Sequence, residues 1–308
     1  MASTRVSIDT QVRVREQVLD KISKLDPYTR PILASIGRQD LSSTKPEWTL
    51  QELKAPSKDN AVVHGYDTVF AATNFVKRVE EFNYTQLLDK PVAVDLSAEA
   101  VIFAGVKKMG SLTDEKANRS VELLNDVEAS IVSSNDRVQP LPDTTTAGKL
   151  RGMERFINSN AIVAGSGAFP ETVATPGMWT RLQVLIKKAG GVPNKAFMGL
   201  EAWDEISSWF NKNITREVGN SGRKITSMIH EVEGVAGVIG LVYESNLSSV
   251  ILMLETGRWN IGWLREPKWY PYPEGISDFH GGTYKAECSL VSWAEKANGK
   301  ITGLTYTA

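Results

Sequence analysis

The chain offers few residues from which chemistry could start: three histidines, one cysteine, a glycine-rich turn and a run of aromatics. A zinc site needs several ligands converging, usually paired at short spacing, but His64, His230 and His280 stand apart. His230, in the alternating run Ile229-His230-Glu231, reads as a sheet residue. Gly165-Ser166-Gly167-Ala168-Phe169-Pro170 has the glycines of a phosphate loop, yet Pro170 falls where the last glycine of a dinucleotide fingerprint belongs. It reads as a flexible turn. Ser166 lacks a Gly-x-Ser-x-Gly elbow and has no identifiable base. Trp259, Trp263, Trp269, Tyr270 and Tyr272 could stack a sugar, but Trp259 and Trp263 are four apart and share one face of a strand, which suits packing. Cys288 sits in a strand-like run and is expected to be a buried structural thiol. The expectation is a protein that is not an enzyme, with no catalytic residue, no cofactor and no metal.

The elements that would have carried such residues point instead to a scaffold. With 308 residues the chain can bury a substantial core, and its 35 basic and 36 acidic residues leave a formal net charge of -1. That balance does not suit a dedicated nucleic-acid binder, although a protein that merely encloses nucleic acid needs no basic excess. The N-terminus, MASTRVSIDTQ, lacks the apolar core of a secretory leader, and the run Val235 to Tyr243 is about half a membrane span. A soluble cytosolic product is expected.

Gln11 to Leu25 carries Val14, Val18, Ile22 and Leu25 at helical spacing, and Asp26-Pro27 stops it. Two prolines then make Asp26 to Leu33 an extended arm. From Glu47 to Leu96 there is no helical stripe, only β-prone pieces at Val62-Val63, Thr68 to Val79 and Tyr84 to Leu96. This reads as a long two-stranded excursion. An isolated hairpin is marginal in water, and ordering it costs about 1–2 kcal/mol per residue in backbone entropy. Such an arm needs another surface to lie on.

Thr113 to Ser134 is the clearest helix, about six turns long. Ala117, Val121, Leu124 and Ile131 form an apolar stripe, and the polar remainder, Glu128 included, reads as a solvated face. Pro140 to Gly148 is a polar connector. Thr175-Pro176 caps a helix that Gly190-Gly191 closes, with Trp179, Leu182, Leu185, Ile186 and Ala189 facing inward. A strand at Lys195 to Leu200 and a helix at Glu201 to Phe210 follow. Strands are expected at Lys224 to Val232, Val235 to Ser245, Ser249 to Glu255 and Trp259 to Arg265. Pro267 to Pro273 reads as a turn before strands at Thr283 to Trp293 and Lys300 to Leu304.

Taken in order, several short motifs resemble those of tailed-bacteriophage major capsid proteins. They are Leu25-Asp26-Pro27-Tyr28-Thr29-Arg30-Pro31-Ile32-Leu33 with Ile36-Gly37 and Pro46-Glu47-Trp48-Thr49-Leu50; Asn83-Tyr84-Thr85-Gln86; and the helix ending Glu122-Leu123-Leu124-Asn125-Asp126-Val127-Glu128. Arg151-Gly152-Met153, Gly190-Gly191-Val192-Pro193, Trp263-Leu264-Arg265 and Ile301-Thr302-Gly303-Leu304 complete the series. The resemblance spans nearly the whole chain. It implies an α+β fold of the Hong Kong 97 type, shared with herpesvirus shells and encapsulins. The implied parts are an N-terminal arm (1–46), an extended β-hairpin loop (47–96), a peripheral domain with a long spine helix (97–142), an axial α/β domain (143–275) and C-terminal strands returning to the peripheral domain (276–308).

The function implied is self-assembly into hexamers and pentamers of an icosahedral shell around double-stranded DNA, without sequence-specific binding and without a membrane. Scaffolding, portal and decoration proteins are the implied further partners. The virion capsid, assembled in the host bacterial cytoplasm, is the implied location. Pro31, Trp48, Val69, Phe70 and Phe75 are the candidate interface residues. Some relatives crosslink a lysine to an asparagine with help from a glutamate. Lys54 and Asn60 lie in the loop, but nothing assigns them that chemistry, and no crosslink is expected. Rival readings are an encapsulin-like compartment shell and, from a different class, a carbohydrate-binding protein or hydrolase using the aromatic group or Ser166.

Overall fold

The computed structural model describes residues 26–67, 76–97, 112–141, 146–211, 230–273 and 278–306. The expected helix at Gln11 to Leu25 lies outside them. Two sheets with separate apolar cores organise the rest. The first has four strands in the order β1 (Gly37–Asp40), β10 (Trp259–Pro271), β11 (Phe279–Ser292) and β4 (Gln86–Asp95). β1 runs parallel to β10, and the other neighbours are antiparallel. The second has six strands in the order β5 (Ala161–Val163), β12 (Gly299–Thr302), β9 (Ile251–Leu254), β6 (Lys195–Met198), β8 (Gly237–Tyr243) and β7 (Glu231–Gly234). A separate antiparallel pair joins β2 (Glu47–Leu50) to β3 (Val79–Phe82).

The long helix, α2 (Leu112–Val132), spans 21 residues, about 31 Å at 1.5 Å per residue. Asp114 and Glu115 sit in its first turn, where the helix dipole favours negative charge. It packs across β4 and β11. Its buried face is Leu123, Val127, Glu128, Ile131 and Val132, with Leu124 half-buried against the same core. Ala117 and Val121, expected on the apolar stripe, are exposed. Within the described residues only the C-terminal half of the helix packs deeply on the sheet.

A short helix, α1 (Pro31–Ser35), begins at the second arm proline. Pro31 occupies its first turn, where the missing N–H goes unused. Ile32 and Leu33 enter the first core beside Trp259, Leu290 and the buried face of α2. A further short helix, α3 (Met153–Phe156), adds Met153 and Phe156 to that core.

The second core lies between the six-stranded sheet and two helices. α4 (Pro176–Lys188) starts as its local signals require: Thr175 Oγ1 accepts the Met178 N–H at 3.3 Å, and Gly190 closes it at φ +88°. Trp179, Leu182 and Ile186 face inward as expected, while Ala189 is exposed and Met178 and Gln183 take buried positions. α5 (Leu200–Asn211) buries Trp203 and Ile206, and the Phe210 side chain lies outside the described set.

Three further expectations are corrected. The arm, expected to be extended from Asp26 to Leu33, turns helical at Pro31, where α1 begins. The proline- and aromatic-rich stretch from Pro267 is not a turn, because β10 continues through Pro271 opposite β11. The register slips between Arg265 and Lys268, so Pro267 falls in an irregularity where the ladder needs no N–H from it. Tyr84 to Leu96 is not part of the loop's excursion either: its strand, β4, is the edge of the four-stranded sheet, bonded to β11 from Gln86↔Cys288 to Asp95↔Phe279. The loop proper spans residues 51–78, between β2 and β3. Among the C-terminal strands, β11 lies in the first sheet and β12 in the second.

Candidate assembly surface

The excursion leaves the body at β2 and returns at β3, with Glu47 opposite Phe82 and Leu50 opposite Val79. Four pairs of residues are too few to hold a hairpin in water, and the chain reinforces this root with buried polar groups. Asn83 is fully buried, and its Nδ2 donates to Leu290 O at 2.8 Å and to Arg151 O at 3.3 Å. Its Oδ1 accepts from the N–H groups of Arg151 and Tyr84 at 2.8 and 2.9 Å. Next in line, Thr85 Oγ1 donates to Glu287 Oε1 at 2.7 Å, and Glu287 also holds Arg265 at 2.7 Å. Gln86 Nε2 reaches Ser130 Oγ of α2 at 3.1 Å. The run Asn83 to Gln86 is thus a row of pins between loop, sheet and helix. An Asn at 83 leaves none of its donors or acceptors unmet, which an apolar residue could not do for its partners.

Beside the pins, Arg137 clamps β3: Nη1 bonds Glu81 Oε1 at 2.5 Å and Phe82 O at 2.6 Å, and its guanidinium lies 3.7 Å from the Phe82 ring centroid. Arg151 stacks at 4.8 Å on the Phe156 ring. Burial pulls its pKa down, against the opposing pull of Asp136 and Glu81.

Beyond the root the character reverses. Residues 51–67 carry no helix or strand and are exposed throughout. Leu53 is 94% exposed and Val63 76%, and Val62 and Tyr66 are exposed too. Fully covering such side chains is worth about 1.5–3 kcal/mol each. An ion pair ties this stretch to the body, Lys296 Nζ to Glu52 Oε1 at 2.5 Å, with both side chains mostly in solvent. Four large apolar side chains are thus left without cover within residues 51–67.

Of the candidate interface residues, Pro31 is half-buried at the start of α1. Trp48 is inside its own subunit: it is 7% exposed, belongs to the first core and lies 6.3 Å from the Phe156 ring. Strand alternation explains this, since Trp48 faces in while Glu47 and Thr49 face out. Val69, Phe70 and Phe75 lie outside the described residues. The loop residues that are both described and exposed, Leu53, Val62, Val63 and Tyr66, were not singled out from sequence.

The arm docks through the polar side of α2. Arg30 Nη1 donates to Asn125 Oδ1 at 2.5 Å, and Glu128 accepts the Ile32 and Leu33 N–H groups at 2.8 and 2.9 Å. Glu128 is therefore not on a solvated face but fully buried. Desolvation, and the nearby carboxylate of Glu244, push its pKa up to about 8 against the two N–H donors. Sequence reasoning missed it because its partners lie more than 90 residues away. A local signal existed: Leu124, Glu128 and Val132 form one i, i+4 row, in which the glutamate stands between two apolar neighbours.

The residues first inspected for chemistry serve packing and turns. Ser166 exchanges backbone hydrogen bonds with Phe169 in a tight turn, with Gly165 and Gly167 at positive φ. Trp259 and Trp263 are in the first core, and Trp259 Nε1 donates to the buried Asn298 at 2.9 Å. Trp269 packs at a tilt against Tyr284 and carries Lys116 of α2 at 4.4 Å above its ring. Cys288 is buried, which pushes its pKa up to about 12. His230 lies just before β7, edge-on to Trp203. Among the described residues no group of three or more metal-ligating side chains converges, and no helix is long and apolar enough to cross a membrane.

Comparison with solved structures finds this architecture in phage shells. The capsid structure of the cyanophage P-SCSP1u matches with a TM-score of 0.64 at 11% identity, covering 100% of this chain and 97% of that one. A structure from Mycobacterium phage Bobi matches at 0.60 and 11%, covering 96% of each chain. The holo-SrpI encapsulin complex from Synechococcus elongatus PCC 7942 matches at 0.60 and 10%, again over 96% of each. The expected α+β capsid fold is borne out by these likenesses. No curated protein sequence is significantly similar. The sequence model of the SU10 major capsid protein family, however, matches residues 2–305, and the chain belongs to that family.

Proposed function

We propose that this major capsid protein closes its shell by laying the loop of each subunit across a neighbour, in hexamers and pentamers of an icosahedral shell around double-stranded DNA. The observation that carries the reading is the reversal at residue 50: a root pinned by buried hydrogen bonds, then a stretch whose Leu53, Val62, Val63 and Tyr66 have no cover in one copy. Chain entropy alone would not keep such a segment extended, so a second copy supplies the surface. Obligate interfaces of this kind bury about 2,000–5,000 Å². Enclosing DNA asks only for a shell, in keeping with the near-zero net charge of -1. The arm, loop, peripheral and axial parts are assigned as above, with the loop shortened to residues 51–78 and β12 placed with the axial sheet. The virion is the proposed location, and the role is structural, not catalytic.

Negative-stain microscopy and sedimentation of the purified full chain, with and without a cognate scaffolding protein, test this. Closed shells or free capsomers are expected. A strictly monomeric species at high concentration under both conditions would overturn it. An encapsulin-like compartment is a second reading, supported by the structural likeness to an encapsulin. Protein cargo in place of DNA inside native particles would favour it.

A further inference from the structure

Glu128 and Glu244 meet at the seam between the two cores. Glu128 belongs to α2, whereas Glu244 follows β8 and is tied to the six-stranded sheet by its own N–H, which donates to Met198 O at 2.8 Å. The chain from Glu244 to β9 then crosses the seam, burying Leu247 and Val250 in the first core. Both carboxyls are fully buried, within hydrogen-bonding reach of each other. Glu128 uses its two oxygens to accept the Ile32 and Leu33 N–H groups, and Glu244 Oε1 accepts from Asn246 N and Nδ2 at 3.1 and 2.7 Å. Glu244 Oε2 is buried with no donor aimed at it from any other side chain or N–H.

Charge does not rescue the pair. The basic groups on the surrounding elements are committed elsewhere: Arg30 of the arm to Asn125, Lys195 of β6 to Ser35 Oγ at 2.9 Å, and Lys90 of β4 to Asp126 at 2.8 Å. Among the described residues neither carboxyl has an ion pair. Two buried anions side by side, without a cation, would be strongly unfavourable, and one proton between them satisfies the orphaned oxygen.

We propose that Glu128 and Glu244 share a single proton, and that this O–H···O bond is a pH-sensitive pin joining the spine helix and arm to the six-stranded sheet. Removing the proton breaks the bridging bond, passes the proton to a base in solvent and leaves two carboxylates facing each other. The Glu128 anion remains held by two backbone donors, so the side that moves is the segment from Glu244 to Val250. The direction in pH follows from linkage. Burial raises the folded-state value for Glu128 above that of an ordinary glutamate, so the folded joint holds more protons than the unfolded chain. Its contribution is fully present below about pH 4.5 and is lost as the pH rises through about 8.

Hydrogen exchange of the full chain, corrected for intrinsic exchange and read at about pH 6 and about pH 9, tests the pin. In the unaltered protein, protection of residues 244–250 should fall about tenfold or more at the higher pH, while Ile32 and Leu33 stay protected. E244Q replaces the shared proton with a permanent amide donor to Glu128, and E128Q does the same toward Glu244 at the expense of one of the two arm N–H bonds; either variant should hold the protection of 244–250 through pH 9. Unchanged protection in the unaltered protein would overturn the proposal, as would a fall in both variants equal to that of the unaltered one. So would restoration of protection by millimolar calcium or magnesium, which would make the pair a cation site. Should one variant fail to fold, the other and the unaltered protein still decide. The readout works on free subunits and does not depend on shell formation.

Discussion

The root of the loop and the loop itself are neighbours in sequence and opposites in physics. At the root, the Asn83 side chain alone makes four hydrogen bonds inside the subunit, and Arg137 and Arg151 close over Phe82 and Phe156. In residues 51–67 the apolar side chains face solvent, and the ion pair that ties this stretch to the body, Lys296 to Glu52, is exposed. The first region stabilises a fold, and in the proposed reading the second is covered by a neighbouring subunit. A shell subunit needs both, because a loop that folded back on its own body would have no surface left for a neighbour.

The comparison breaks most plainly if the loop is removed. Replacing residues 52–77 with a two-residue turn that joins β2 to β3 should abolish shells, scored by microscopy and sedimentation, while thermal melting of the subunit shifts by only a few degrees (about 1 kcal/mol or less of subunit stability). Shells forming from this variant would mean the loop is not the clamp. Next in size is the root. Asn83→Ala leaves the Arg151 N–H and the Leu290 carbonyl without partners and should cost about 3 kcal/mol of subunit stability in urea unfolding.

A smaller effect of the opposite kind comes from Leu53→Ser. Subunit stability should stay within about 0.5 kcal/mol, since the side chain is already in water. The concentration needed for assembly should rise about tenfold, the equivalent of about 1.4 kcal/mol. Light scattering against concentration reads it, and an unchanged threshold would place the contact elsewhere on the loop. The smallest change is Lys296→Ala: loss of an ion pair with side chains 52% and 64% exposed is worth about 0–1 kcal/mol, and salt should erase it.

What could be read from the residues divides along the same line between local and distant causes. α4 was legible end to end, because Thr175, Pro176 and Gly190 act on the turns beside them. In the second sheet β6, β8 and β9 were legible as short apolar runs, whereas β5 was not assigned and β7 begins only at Glu231, near the end of its expected range. β10 beyond Arg265 was not: its prolines announce a turn, and only pairing with β11, which no local window contains, carries the strand through Pro271. Trp48 looked like an interface aromatic because a four-residue strand says nothing about which sheet face meets a core. Glu128 needed the arm and Glu244 to reveal it as an interior group, although its apolar i, i+4 neighbours hinted at burial. The motif Asn83 to Gln86 carried the family resemblance before its chemistry was visible, and that chemistry turns out to be the pins of the root.

The most direct test of the central claim compares side-chain accessibility in the two states of one protein. Hydroxyl-radical footprinting of free subunits and of assembled shells would report on Leu53, Val62, Val63 and Tyr66 individually. The account predicts strong labelling of all four in the free subunit and a large loss of labelling in the shell, with Asn83 and Trp48 protected in both. Equal labelling of the four in shell and subunit would contradict it.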